Sequence, residues 1–167
     1  ASLGQPDKQQ LTLLKSKLYS TCDSGPPNGV GATEEQQTAV KDLASELQQS
    51  CSSAPARMPL KGVWELLYST APGGSNGKVG PFIGSVTQTF VDDLRFVNAV
   101  ELFGALKVSL EAEREVLDDS RIRVVFKDMA FSLFGLELSR KAAGGSGVWQ
   151  QRYVDQELRG IDTPSLF

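Results

Sequence analysis

The chain has 167 residues and a formal net charge of −3, with no cluster of Lys and Arg, which argues against nucleic acid and against attraction to anionic membranes. At 40% hydrophobic and 22% charged residues it reads as a globular chain of one domain's size. Histidine is absent, which excludes His-dependent triads and His metal sites, and Cys22 and Cys51 alone are a poor start for a zinc site.

The chain opens at Ala1 without a methionine, so any targeting peptide is expected to have been removed already. Its apolar runs are all shorter than the roughly 20 residues of a helical membrane span. Residues 7–20 predict a first amphipathic helix, with Leu11, Leu14 and Leu18 on one face. Gly25, Pro26, Pro27, Asn28 and Gly29 then impose a loop. Thr33 and Gln36 form a capping-box pattern, and Val40, Leu43 and Leu47 repeat the helical stripe as far as Ser50. Two antiparallel helices would hold Cys22 and Cys51 about a helix length apart, roughly 27 Å at 1.5 Å per residue. A disulfide, which needs Cα atoms within about 7 Å, is therefore not expected.

From Leu60 the period changes to alternation. Trp64, Leu66 and Tyr68 define a first strand, Ile83 to Val91 a second, and Leu94 to Leu102 a third. Leu106, Val108, Leu110 and Ala112 face inward on a fourth, Ile122, Val124 and Phe126 on a fifth. Residues 131–138 read as a broken sixth strand, and Val148 to Asp155 as the last. Successive strands with regular turn signals predict a meander that closes as a barrel. The expected fold is mainly β, an antiparallel β-barrel over residues 60–167 preceded by a two-helix segment over 1–59, the two together forming one domain.

Three features invite a chemical reading. The glycine-rich loop around Lys78 lacks the Ser or Thr and the following helix of a P-loop, so it reads as a hairpin loop beside the barrel mouth. Asp92/Asp93 and Asp118/Asp119 fall where turns are predicted, and read as turn formers rather than acids or metal ligands. Tyr68, Phe82, Phe90, Phe96, Phe126 and Phe131 are candidates to line an apolar cavity, since a small barrel either packs solid or holds one ligand. With no nucleophile motif, the chain is not expected to be an enzyme and needs no cofactor.

Gly62-Val63-Trp64 resembles the Gly-x-Trp that opens lipocalin-type barrels, where the indole closes the base against a late arginine; Arg159 is the candidate partner and Arg152 the second. The run Leu60 to Thr70, then Gly80, Gln88 and Asn98, then Tyr153-Val154-Asp155, Leu158-Arg159-Gly160 and Ser165-Leu166-Phe167 together resemble the plastid lipid-associated proteins, or fibrillins. The likeness covers nearly the whole chain. It implies a lipocalin-like barrel, a plastid setting at thylakoids or plastoglobules, and binding of apolar small molecules such as isoprenoids, quinone precursors, fatty acids or carotenoids. A peripheral lipid-body or membrane surface and a plastid protein partner are further implications, as is a structural or adaptor role with a packed barrel. Asp155 would be the family's closing acidic residue, with Arg159 beside it. With Trp64 and the six aromatics above, these two complete the expected ligand-binding set.

Overall fold

The computed structural model describes residues 7–71 and 73–163. Helix α1 spans Lys8–Asp23 and α2 spans Glu34–Gln48. The capping box forms as expected: the Thr33 hydroxyl accepts from the Gln36 N–H at 3.3 Å, and the Thr33 N–H donates to the Gln36 side chain at 2.9 Å. Glu34 and Glu35 sit in the first turn, where the helix dipole favours them. The helices pack through Leu18 and Cys22 against Val40, Leu43 and Leu47, and the cluster is completed by Tyr153 from the sheet. Cys22 and Cys51 are both unpaired thiols.

The strands are β1 Gly62–Glu65, β2 Lys78–Val79, β3 Phe82–Ile83, β4 Ser85–Phe90, β5 Arg95–Leu102, β6 Leu106–Val116, β7 Arg121–Leu133, β8 Leu136–Ala142, β9 Ser146–Val154 and β10 Arg159–Asp162. β2 and β3 form a separate two-stranded hairpin. The main sheet runs in the order β1-β4-β5-β6-β7-β9-β10 with every pairing antiparallel. It curls into a half-barrel. Among the described residues no ladder joins β1 to β10; the approach of the two ends is made by side chains, since Arg159 of β10 donates a hydrogen bond to Gln88 of β4.

Three segments depart from the sequence reading. The first strand stops at Glu65, because Tyr68 turns away to the helices: a Cβ on Gly29 (φ 75°) would lie 2.6 Å from the Tyr68 ring. The broken sixth strand is the end of an unbroken 13-residue β7, a two-residue turn at Phe134-Gly135, and the start of β8. β7 is so long that it pairs β9 through residues 121–125 and β8 through residues 128–133 along the same edge. The closing Ser165-Leu166-Phe167 lies outside the described residues.

Candidate binding trough

Strand register sorts the inner face into rows that cross three or four strands. Phe90, Phe96, Ala112 and Phe126 form the first row, and all four are buried. Gln88, Asn98, Leu110 and Met129 form the second. Val86, Val100, Val108 and Phe131 form the third, and Leu102, Leu106 and Leu133 the fourth. The first row packs with Ile122, Val124 and Trp149, and the Phe90 and Phe96 rings stack with centroids 4.8 Å apart. In the third row all four side chains are only half-buried, although alternation points them inward. The sheet is therefore solid across the first row and only partly covered across the third, which forms a shallow apolar trough, while Leu102 in the fourth row is buried again at 4% exposure.

A polar layer divides the two. Gln88 donates to Asn98 at 2.6 Å, and the Gln88 carbonyl oxygen accepts from Arg159, whose Nε donates to Gln151 at 2.9 Å. Burial, reinforced by the charge of Arg114, pushes the Arg159 guanidinium down to about 9. Arg114 is itself 5% exposed and lowered by burial; its Nε donates to the Asp93 carbonyl at 2.6 Å. Both guanidinium groups lie against the Phe90 ring, at 5.2 Å for Arg159 and 5.8 Å for Arg114. Among the described residues, Arg159 Nη2, Arg114 Nη1, Gln151 Nε2 and Trp149 Nε1 find no acceptor. All four are donors.

The expected site residues divide between three places. Phe90, Phe96 and Phe126 belong to the packed end. Phe131 lines the trough, and Phe82, half exposed, stands at its rim against Phe103. Trp64 packs against the first-row core and donates its indole N–H to the Leu60 carbonyl at 2.9 Å. Arg159 lies on Phe90 rather than on Trp64; the register sets Gly62, which has no side chain, opposite Phe90 on β1, and Trp64 opposite Gln88. Arg152, the second candidate, is tied at the surface to Asp162.

Tyr68 belongs to the helical cluster. Asp155 is an anchor between sheet and helix: it accepts from the Tyr153 hydroxyl at 2.6 Å, from the backbone N–H groups of Glu157 and Leu158 at 2.8 Å each, and pairs with Lys15 of α1. Burial works against its ionisation, yet Lys15 and these donors hold its pKa below the usual value.

Asp92 and Asp118 are turn residues as expected, each accepting backbone N–H groups of its own turn and held down to about 2 by them and the neighbouring arginine. Among the described residues, no group of three or more Cys, Asp or Glu is arranged to hold a metal. A surface cleft of about 320 Å³ lies beside Arg57, Asp93 and Arg114, and one of about 240 Å³ beside Lys15, Asp155 and Glu157. Both are charged.

Sequence reasoning missed Arg114, Gln151, Gln88 and Asn98 as inward residues. The signal was present: Arg114 continues the even-numbered inward series of Leu106 to Ala112.

A curled antiparallel half-barrel backed by a pair of N-terminal helices defines a small, mainly β protein. The sequence profile of the PAP_fibrillin family matches residues 12–161, and the chain belongs to that family. It is 31% identical over 167 residues to the probable plastid-lipid-associated protein 8, chloroplastic, of Arabidopsis thaliana, covering 92% of this chain and 66% of that protein. No solved structure matches it.

Proposed function

We propose that the protein is a plastid lipid-associated binding module that holds an apolar small molecule in the trough formed by Val86, Val100, Val108 and Phe131. The observation that carries this is the incomplete burial of the inward-facing third-row side chains in a sheet whose first row is fully packed. An apolar body laid on that face removes it from water, at about 25 cal/mol per Å² covered. The Gln88–Asn98 layer beneath, with unpaired donors behind it, suits a ligand carrying an oxygen at one end. A prenylated quinone precursor, a fatty acid or an oxygenated carotenoid has that form. Family membership and the name of the Arabidopsis relative support a plastid setting, and within it the reading takes thylakoids or plastoglobules as the surface.

Displacement of a fluorescent fatty acid tests the reading. Val108→Glu places a carboxylate in the third row and is expected to weaken binding about tenfold or more, a loss of at least about 1.4 kcal/mol. Failure of the unaltered protein to bind any apolar probe, or equal binding by the folded variant, would sink it. A structural or adaptor role on a plastid lipid surface or photosynthetic complex is the second reading, favoured by the solid first row. It requires a protein partner that Val108→Glu displaces while no apolar probe binds.

A further inference from the structure

Apolar surface continues past the trough to the turns at its open end. Phe103, between β5 and β6, is 76% exposed, and Phe134, between β7 and β8, is 82% exposed. Leu136 at 68% and Phe82 at 50% lie with them. Each turn places its Phe at positive φ, 56° for Phe103 and 48° for Phe134, followed by Gly104 and Gly135 at 63° and 80°. Hairpin turns of this kind ordinarily take Asn or Asp before the glycine, because a bulky side chain is strained there. The same strained choice occurs twice, on turns that touch: the Phe134 N–H donates to the Ala105 carbonyl at 2.8 Å, and Phe103 meets Phe82 edge-on at 5.0 Å.

Charge is arranged around these tips. Residues 102–106 and 131–136 contain no charged side chain. Immediately behind them charges return in opposed sets: Glu101 is opposite Lys107 in the register, and Arg140 pairs with Glu137 at 2.8 Å and Glu111 at 2.6 Å.

We propose that the Phe103 and Phe134 turns insert together into a lipid surface of uncharged headgroups, docking the protein with its trough opening toward the lipid. Two narrow turns make a wedge, whereas a stable protein partner needs a broad face of about 800 Å² on each side. Exposed aromatics ahead of a polar zone match the boundary between acyl chains and headgroups. The charges named behind the tips carry no positive excess and the chain carries −3 overall, so an anionic surface offers no attraction. The choice of a lipid partner rests on the lipid-associated reading above; which face touches the lipid is a separate claim.

The test uses the double variant Phe103→Asn/Phe134→Asn, which installs the residue that the turn geometry prefers. Its melting temperature is expected to equal or exceed that of the unaltered protein, while partitioning onto phosphatidylcholine vesicles falls about tenfold or more. Added salt should leave the unaltered protein's partitioning nearly unchanged. Equal partitioning of both proteins overturns the proposal, as does vesicle binding that appears only with phosphatidylglycerol and vanishes in salt. Self-association of the unaltered protein, lost in the variant and without vesicle binding, would assign the turns to a second copy instead. Fatty-acid displacement on the double variant separates the two claims: retained probe binding with lost vesicle binding supports both, and lost vesicle binding without any probe binding removes only the trough.

Discussion

The two ends of the half-barrel are made by the same four strands with the same alternation, yet one is sealed and the other is open. At the sealed end Phe90, Phe96 and Trp149 meet one another, and the helical pair stands behind them through Tyr153. At the open end the inward residues are mostly Val and Leu, and what lies beyond them is a pair of protruding turns. Alternation decides which face a side chain takes; position along the strand decides whether anything covers it. Burial energy is therefore concentrated in the first row, and the third row is left free to be covered from outside.

That contrast predicts a ranking of substitutions. Phe96→Ala, which empties a stacked position at 1% exposure, is expected to cost about 3–5 kcal/mol in urea unfolding. A loss near that of an exposed residue would show that the sealed end is loosely packed. Arg159→Met leaves the Gln88 and Gln151 oxygens without their donor and should cost about 1–3 kcal/mol. A neutral result would mean that the sheet ends are held by backbone and packing alone.

Asp155→Asn probes the anchor behind the sealed end. The folded pKa of Asp155 is depressed, so its ionised form contributes stability above the unfolded value near 3.9, and that contribution is lost as pH falls through the folded pKa. The variant should be less stable by about 1–3 kcal/mol at neutral pH, with the difference closing in acid. Thermal melts across pH check this, and a constant gap would remove Asp155 from the acid response. Val108→Ala in the open row should cost about 1 kcal/mol or less. A larger loss would show that the trough is already covered.

Much of this contrast was legible in the sequence. Thr33 and Gln36 marked the second helix because a capping box is local, and the strands from Ile83 to Phe126 were marked by period-two patterning over known turn residues. The rows were not legible, because they depend on register between strands, which a single strand's pattern leaves open. The fate of Tyr68 was hidden for the same reason: its alternation with Trp64 and Leu66 was sound, but contact with Gly29, 39 positions away, took it out of the sheet. Arg159 was picked out as a closing cation, yet its aromatic partner depended on the register that sets Gly62 opposite Phe90. The turns at Phe103 and Phe134 were signalled by the repeated Phe-Gly, but the second fell inside the segment read as a broken strand.

The hairpin arm of β8 carries one more consequence. Among the described residues it pairs only with β7, and each of its seven residues is exposed, so its outer edge presents free backbone groups. Such an edge, bearing Leu136 and Leu138, is a template for pairing with a second chain and the start of a fibril. Here Glu137, Arg140 and Lys141 follow close on those leucines, and the Arg140 pairs hold charge across the strand. A protein that must keep apolar turns exposed needs a guard against its own copies. The charged half of β8 places that guard a few residues from the hazard.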